Sequence, residues 1–222
     1  MFTLHADDRT LPAVVETLII AGWTGRDAAA VQHHIDELEA LGVTPPSQVP
    51  LYYRAPGALV TTGDHIQVVG DHTSGEVEPV IFAFGEELFV GLGSDHTDRR
   101  AEATSVALAK ALCPKPVAPQ LWPWASVHPH WDQLILKAWI TVDGRQTLYQ
   151  QGTLAGLRRP EELWRDWSHG RGLPSGAALF CGTLPAIDGV RPAEAFAMEL
   201  TDPVRRATLR HHYRIEPLPL VS

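Results

Sequence analysis

Residues 75–95, GEVEPVIFAFGEELFVGLGSD, have the pattern of two strands joined by a sharp turn. Two apolar runs flank the pair Gly85-Glu86, which is typical of a tight turn between antiparallel strands. In the first run both alternating sets of positions are apolar, since Val80 and Phe82 fall on one face and Ile81 falls on the other. A strand that is apolar on both faces is buried on both faces, so we predict a central strand here.

Three carboxylates lie at the open end of this predicted hairpin. Glu76 and Glu78 are two positions apart, so a strand directs both to one face. If Phe84 pairs with Glu87, Asp95 lies opposite Glu76, and a turn shifted by one residue places Asp95 opposite Glu78 instead. Buried carboxylates need partners, protonation or a metal, and three of them favour Mg²⁺ or Mn²⁺ over zinc. From the spacing alone, a strand end that meets arginines or water is an equal alternative.

Length and composition fit a single globular domain over residues 1–222. Of these residues 45% are hydrophobic and 20% are charged, which suffices for a sizeable core. The formal net charge of −8 opposes non-specific binding to nucleic acid, so no such partner is expected. Cys113 and Cys181 form no CxxC motif, so we predict neither a zinc site nor a disulfide framework.

A cytoplasmic protein without membrane contact is expected. The N-terminus, MFTLHADDRT, lacks the basic and apolar regions of a signal peptide. No apolar run reaches the roughly 18 residues that a membrane-spanning helix needs.

Periodicity predicts a small N-terminal α/β lobe and then a β-rich body. Residues 13–22 have the pattern of a strand, and residues 24–41 have that of a helix with Thr24 as its N-cap. The prolines in 44–50 interrupt the chain, so we place the lobe at about 1–48. Beyond it, short apolar runs between Gly, Asp and Pro indicate strands. The fold class is therefore α+β and β-rich, a mixed roll or sandwich with few short helices, the best of which are predicted at 98–111 and 160–168.

The order of several motifs resembles the fumarylacetoacetate hydrolase superfamily, and more narrowly a bacterial branch of unknown function, over about residues 20–200. The paired glutamates match the superfamily's ExE metal pair, and Asp95 in DHTDR matches its third metal ligand. The other matches, in chain order, are the helical pair His34 and Glu37, the strand VPLYYRAPGALVTTGD at 49–64, Lys110 before Cys113-Pro114, and the loop FCGTLPAIDG at 180–189. The resemblance implies the superfamily's fold and a homodimer.

The resemblance also implies roles for the metal and for the catalytic residues. One divalent cation per chain, Mg²⁺ or Mn²⁺, would act as a Lewis acid while an enolate develops on the substrate. Glu37 would orient His34, which would deprotonate a water. Lys110 would stabilise the developing negative charge. The implied metal ligands are Glu76, Glu78 and Asp95.

Substrate binding follows from the same resemblance. Arg99 lies four residues after Asp95, and its guanidinium would bind the substrate's carboxylate in a bidentate manner. Gly182 and Thr183 would form a small anion pocket, since glycine allows close backbone approach and the threonine hydroxyl donates to an oxygen.

Two of these assignments have rivals within the sequence. His33 and Asp36 have the same spacing as the pair proposed to activate water, so either pair could form the dyad. Lys115 is a rival of Lys110, because the spacing from Lys110 to the Cys-Pro pair is shorter than the superfamily's usual one.

The implied activity is that of a metal-dependent hydrolase or lyase that cleaves a C–C bond in an acylpyruvate-like or other 2-oxo acid. An isomerase, hydratase or decarboxylase on the same scaffold is an alternative, and so is a non-catalytic small-molecule binding protein, because a fold does not fix a function. The expected partner is a small carboxylic acid substrate. The sequence leaves the substrate's tail and the bond that is broken open.

Overall fold

The computed structural model describes residues 2–40 and 45–221, without the side chains of His34, Glu37, Leu38 and Ala40. The strands are β1 (Phe2–Ala6), β2 (Arg9–Ala13), β3 (Thr17–Gly22), β4 (Leu51–Ala55), β5 (Val60–Thr61), β6 (His65–Val69), β7 (Thr73–Ser74), β8 (Val77–Phe84), β9 (Glu87–Ser94), β10 (Thr97–Asp98), β11 (Lys115–Pro116), β12 (Gln120–Pro123), β13 (Ile135–Val142), β14 (Arg145–Thr153), β15 (Ala177–Phe180), β16 (Ala195–Asp202) and β17 (Ala207–Leu218). The α-helices are α1 (Ala28–Ala40), α2 (Arg99–Glu102), α3 (Val106–Ala111), α4 (Trp124–Val127) and α5 (Pro160–Trp167), and 3₁₀ helices cover Gly57–Leu59, His128–Gln133 and Leu154–Gly156.

Two sheets form the body of the molecule. One has eight strands in the order β2-β1-β12-β9-β8-β15-β3-β4, and the other has five in the order β14-β13-β16-β17-β6. The large sheet is mixed, because β8 runs antiparallel to β9 and β15 whereas β15 runs parallel to β3. The predicted β-rich α+β class is confirmed.

The hairpin of β8 and β9 lies at the centre of the large sheet. The strands pair in the register that joins Phe84 to Glu87 and Val77 to Ser94. The first of the two predicted registers is therefore correct. Every residue of β8 except Phe84 is buried, which confirms the predicted central strand.

Alternation along β8 divides the hydrophobic core into two clusters. Ile81 belongs to the cluster between the two sheets, where Leu136 of β13 also lies. Val80 belongs to a second cluster on the opposite face, together with Leu4 of β1 and Ala55 of β4. Because β1 and β4 lie near opposite edges of the large sheet, the sheet must curl around this second cluster. Glu78 shares its face of β8 with Val80, so the carboxylates lie on the inside of the curl.

The N-terminal strands belong to the large sheet. The predicted strand at 13–22 is found as two strands, with a break after Ala13, where the backbone N–H groups of Glu16 and Thr17 both donate to the carbonyl of Gly176. These bonds turn the chain into β3. Whether residues 1–48 form a lobe of their own stays a prediction.

The predicted N-cap of the first helix is wrong. Asp27, not Thr24, accepts hydrogen bonds from the N–H groups of Ala29 and Ala30, at 2.9 and 3.1 Å. Thr24 is buried, and its carbonyl accepts a bond from the backbone of Arg158. The helix therefore starts at Ala28, because the carboxylate of Asp27 satisfies its first free donors.

The helical segment predicted at 98–111 is found as two helices, because two caps divide it. Asp98 accepts from two backbone N–H groups at the start of α2. Ser105 has extended backbone and accepts from the N–H of Leu108 at 3.3 Å, so it starts α3. The helix predicted at 160–168 is confirmed as α5. Within the described ranges, no helix has both the length and the apolar character needed to cross a membrane.

Candidate metal centre

Three carboxylates meet where β8 begins and β9 ends. The backbone N–H of Asp95 donates to the carbonyl of Glu76 at 2.9 Å, so these two residues face each other across the hairpin. One carboxylate oxygen from each of Glu76, Glu78 and Asp95 lies within 4.8 Å of the other two. Glu78 and Asp95 are buried, and Glu76 is partly exposed. The structure thus brings together the three residues that the sequence proposed as metal ligands.

Two lysines hold Asp95 from opposite sides. Lys110, at the end of α3, contacts Asp95 Oδ2 and lies 3.8 Å from Glu76 Oε2. Lys115, in β11, places its Nζ 3.1 Å from Asp95 Oδ1 and donates to the carbonyl of His96 at 2.5 Å. Both lysines are buried. The sequence treated them as alternatives, whereas the structure places both against the same carboxylate.

The charges in this pocket shift the pKa values of its members in opposite directions. Burial opposes the ionisation of Asp95, but Lys110 and Lys115 outweigh it and lower the pKa of Asp95 to about 2. Burial also opposes the charge on Lys110, yet the neighbouring carboxylates raise the pKa of Lys110 above its ordinary value. For Glu78, burial and the charge of Asp95 act together and raise its pKa well above the ordinary value. Asp95 and Lys110 are therefore charged at neutral pH, while Glu78 holds a proton more tightly than a free glutamate.

Arg99 joins Glu76 to the rest of the site. Its Nη2 lies 3.3 Å from Glu76 Oε1, its Nη1 donates to Glu102 at 2.9 Å, and its Nε donates to the hydroxyl of Ser74 at 2.6 Å. Burial alone would lower the pKa of Arg99, but Glu76 and Glu102 raise it. The predicted role in gripping a substrate carboxylate stays a prediction, and the structure adds that Arg99 fixes the position of Glu76.

The loop after β15 contacts the carboxylate strand directly. The backbone N–H of Gly182 donates to Glu78 Oε2 at 2.7 Å, and the hydroxyl of Thr183 donates to the carbonyl of Val77 at 2.7 Å. Gln150 supports this arrangement by donating to the hydroxyl of Thr183 at 2.8 Å. The groups expected to form an anion pocket thus bind Glu78 and β8 in this structure. That pocket stays a prediction.

His96 follows Asp95 but faces away from the carboxylates, as alternation along a strand predicts. Its Nδ1 lies 3.0 Å from the hydroxyl of Tyr213, and its Nε2 lies 2.8 Å from the hydroxyl of Thr73. Burial, with Lys115 and Arg99 adding to it, lowers the pKa of His96 to about 3. His96 is therefore a neutral residue that ties the end of β9 to β7 and β17.

The predicted water-activating pair lies on α1. The backbone of His34 and Glu37 is helical, but their side chains lie outside the described part of the structure. Of the rival pair, His33 and Asp36 are exposed, and Asp36 accepts a hydrogen bond from Gln32 at 2.7 Å. The choice between the two pairs stays a prediction.

The residues of the pocket fit a hard divalent cation. Three carboxylates offer the oxygen ligands that such cations prefer. Asp95 Oδ1 is buried and no donor meets it in hydrogen-bonding geometry, although Lys115 Nζ lies 3.1 Å away, so it keeps a lone pair for a further partner. The approach of Lys110 to both Asp95 and Glu76 demonstrates that the pocket attracts positive charge. This acidic triad can therefore hold a metal ion.

Several residues that shape the site were missed in the sequence. Gln150 is fully buried and hydrogen-bonds to the N–H of Val77, to Thr183 and to Leu184. Tyr53, in β4, places its ring centroid 5.7 Å from Lys110 Nζ. Tyr213 and Leu209 lie on the same face of β17, and both are buried. Alternation along this strand is therefore a sequence signal that could have predicted the burial of Tyr213. Gln150 gives no such signal, because its contacts come from distant segments.

The fold is shared with solved structures that include a fumarylacetoacetate hydrolase family protein. Cg1458 with inhibitor matches at 18% identity and a TM-score of 0.69, covering 96% of this chain and 84% of that chain. A 2-keto-3-deoxy-D-arabinonate dehydratase complexed with magnesium and 2,5-dioxopentanoate matches at 15% identity and a TM-score of 0.65, covering 92% and 74%. Yeast ynq8, a fumarylacetoacetate hydrolase family protein, matches at 12% identity and a TM-score of 0.64, covering 93% and 95%.

The family itself is shown by sequence. The model of a family described as "Protein of unknown function (DUF2848)" matches residues 21–213, so the chain belongs to this family. No curated protein matches the chain. The predicted membership of a family of unknown function is confirmed, and the predicted resemblance to the fumarylacetoacetate hydrolase superfamily is confirmed at the level of the fold.

Proposed function

We propose that this protein is a divalent-metal-dependent enzyme that acts on a 2-oxo acid and cleaves a C–C bond by hydrolysis or by a lyase reaction. The observation that carries the proposal is the buried triad of Glu76, Glu78 and Asp95, with one oxygen from each within 4.8 Å of the others. A buried triad of this kind costs folding stability, and its retention is explained by a bound cation.

Charge balance supports an anionic substrate. Three cations, namely Lys110, Lys115 and Arg99, contact the triad, and Glu102 also pairs with Arg99. The site therefore has one carboxylate more than it has cations. A divalent cation turns this negative excess into a positive one, and an acid ligand restores neutrality. When bound, such a cation supplies Lewis-acid polarisation of a keto oxygen. Lys110 is charged and close to two of the carboxylates, so it is placed to stabilise negative charge that develops beside them.

The comparisons support the substrate class. The dehydratase structure holds magnesium together with 2,5-dioxopentanoate, which is itself a 2-oxo acid. A shared scaffold, together with three carboxylates in this chain that can hold a metal ion, favours the same kind of ligand. The identity of the reacting bond does not follow from this likeness.

A dehydration is the second candidate. Among the described residues, no histidine side chain hydrogen-bonds to or pairs with the three carboxylates, and His96 is directed to Tyr213 and Thr73. Hydrolysis therefore depends on α1 to supply a base for water, through His34 and Glu37 or through His33 and Asp36. The likeness to a dehydratase favours elimination of water over its addition.

The test is turnover with added Mg²⁺ or Mn²⁺ against acylpyruvates, oxaloacetate and sugar-derived 2-oxo acids, with identification of the products. Hydrolysis yields two carboxylic acids from an acylpyruvate, decarboxylation yields CO₂, and dehydration yields a product that has lost water. Metal-dependent turnover of any of these 2-oxo acids supports the class of enzyme. Absence of turnover and of metal-dependent binding throughout the panel overturns it.

Matched variants separate the roles within the site. Lys110→Met is expected to abolish turnover, whereas Lys137→Met, which removes a lysine of β13, is expected to leave it unchanged. If the enzyme is a hydrolase, His34→Gln should lower turnover at least a hundredfold, in keeping with the usual contribution of a general base. Full activity of that variant and of His33→Gln would exclude a water-activating histidine on α1.

A further inference from the structure

A cavity of about 600 Å³ lies between the start of α2 and the segment 190–192. Arg99 links it to the carboxylates, since it lines the cavity and also reaches Glu76. The volume falls within the range of about 300–1,000 Å³ that small-molecule sites occupy. A single residue, Arg99, therefore separates this space from Glu76.

The charge of the cavity is positive in an otherwise acidic protein. Three arginines and one glutamate line it, namely Arg99, Arg100, Arg191 and Glu102. Arg99 and Glu102 neutralise each other at 2.9 Å. Within the described part of the chain, neither Arg100 nor Arg191 pairs with a carboxylate. Because the whole chain carries a net charge of −8, these two free cations are a local feature, and a concave wall concentrates their attraction for anions.

The loop between β15 and β16 holds the side chain of Arg191 in place. Its Nη1 donates to the carbonyls of Ile187 and Gly189, at 2.7 and 3.0 Å, and its guanidinium lies 5.3 Å from the ring centroid of Tyr149. The same loop begins at Gly182, which donates to Glu78. One loop thus links a metal-site carboxylate to a fixed guanidinium. A guanidinium that is bound only to neutral groups keeps its charge available for a ligand.

We propose that this cavity binds a second carboxylate of the substrate, so that the enzyme's substrate is a 2-oxo diacid. This inference rests on the proposed function. The first carboxylate and the keto oxygen of the diacid remain at the carboxylate triad, and its distal carboxylate pairs with Arg191 and Arg100. The guanidinium fork suits that group because it can bind a carboxylate through two parallel hydrogen bonds.

The test compares diacids with monoacids of the same chain length. Binding to the Mg²⁺-loaded full-length protein is measured by calorimetry for 2-oxoglutarate, 2-oxoadipate and 2-oxopimelate, each against 2-oxovalerate, 2-oxohexanoate or 2-oxoheptanoate. For at least one length, the diacid is expected to bind about tenfold more tightly or better, as a charge-assisted pair provides. Arg191→Gln and Arg100→Gln are expected to weaken diacid binding and to leave monoacid binding unchanged.

Controls distinguish failure of this inference from failure of the proposed function. Arg145→Gln removes the same charge from an exposed position on β14, and it should preserve the preference for the diacid. Equal, Mg²⁺-dependent binding of diacids and monoacids would overturn the second-carboxylate site and leave the proposed function standing. The same conclusion follows if the preference survives in the Arg100→Gln/Arg191→Gln double variant. Binding that is absent or independent of Mg²⁺ overturns both.

Discussion

At the scale of single residues, Glu78 shows the conflict between stability and function. Its carboxylate is buried near Asp95, and both burial and that charge raise its pKa well above the ordinary value. The N–H of Gly182 offers the charged form some compensation, at 2.7 Å from Oε2. A buried carboxylate with one neutral donor is a poor contributor to folding, but it is a strong ligand for a cation.

Glu78→Gln is therefore expected to stabilise the metal-free protein by about 1–2 kcal/mol, since the amide keeps an acceptor for Gly182 and removes the buried acid. The same change should weaken Mg²⁺ binding at least tenfold, because a carboxylate ligand is lost. Urea unfolding in EDTA measures the first effect, and calorimetry measures the second. A variant that is less stable than the wild type in EDTA would contradict this account of Glu78.

Gly182 is a second residue whose position in the structure restricts which side chain can occupy it. Its φ is +95°, and a Cβ at this position would lie 1.7 Å from the hydroxyl oxygen of Thr24. Gly182→Ala is expected to destabilise the protein by about 2–3 kcal/mol, through backbone strain and a clash with a buried side chain. Gly85→Ala is the control, because its φ of +62° carries strain while nothing lies within 4 Å of the added Cβ.

Chemical denaturation of the two alanine variants separates crowding from strain. The control is expected to lose about 1 kcal/mol. Equal losses in the two variants would mean that contact with Thr24 contributes nothing.

At the scale of elements, the site depends on how strands end. Asp95 follows β9, and the neighbouring residues Ser94 and His96 both reach the hydroxyl of Tyr213 in β17, at 2.8 and 3.0 Å. The end of β9 is thus fixed to the second sheet, and Asp95 is held where Lys110 and Lys115 meet it. The positions of the ligands are set by sheet pairing and strand ends, not by the ligand residues alone.

The end of β16 is fixed by a different carboxylate, Asp202. It is buried, and it accepts hydrogen bonds from His130 at 2.8 Å and from the backbone N–H groups of Val204 and Arg205 at 2.9 and 3.0 Å. Burial opposes its ionisation, but these bonds outweigh burial and lower the pKa of Asp202. A carboxyl whose pKa falls on folding contributes stability above its unfolded pKa, and that contribution is lost as the pH falls through its folded pKa.

Asp202→Asn is expected to cost about 1–3 kcal/mol at pH 7, because charge-assisted bonds are replaced by neutral ones. The unfolded pKa is near 3.8, so the difference from the wild type should shrink as the pH falls below that value. Urea titrations at pH 7 and at pH 3 measure the change. Asp8→Asn, at an exposed position, should show no comparable pH-dependent loss, and a constant deficit for Asp202→Asn at both pH values would rule out the ionic contribution.

For the molecule as a whole, alternation and spacing in the sequence predicted the central hairpin and the proximity of its carboxylates. The turn at Gly85-Glu86 allowed two registers, both of which place Asp95 on the carboxylate face, and the structure has the one that places it opposite Glu76. The helix starts were less predictable, because Asp27 caps α1 in place of Thr24, and Ser105 starts a second helix within the segment 98–111. The contacts of Gln150 with Val77 and Thr183 could not be predicted, since they join segments far apart in the chain.

The whole fold also links metal binding to stability. The triad joins β8 to the end of β9, and α2, α3 and the loop after β15 all contact it. A cation bound there therefore stabilises the native packing of several elements at once.

A ligand at a hundred times its dissociation constant adds about 2.7 kcal/mol to the free energy of unfolding, which for a chain of this size raises Tm by about 5–10 °C. We expect that rise with Mg²⁺ or Mn²⁺, its reversal by EDTA, and its absence with K⁺. Since Glu78→Gln starts from a more stable metal-free state, its Tm should be higher than that of the wild type in EDTA. With binding at least tenfold weaker, the same Mg²⁺ concentration should add at most about 1.4 kcal/mol, half the gain of the wild type. An equal metal response in the two proteins would show that the cation binds elsewhere.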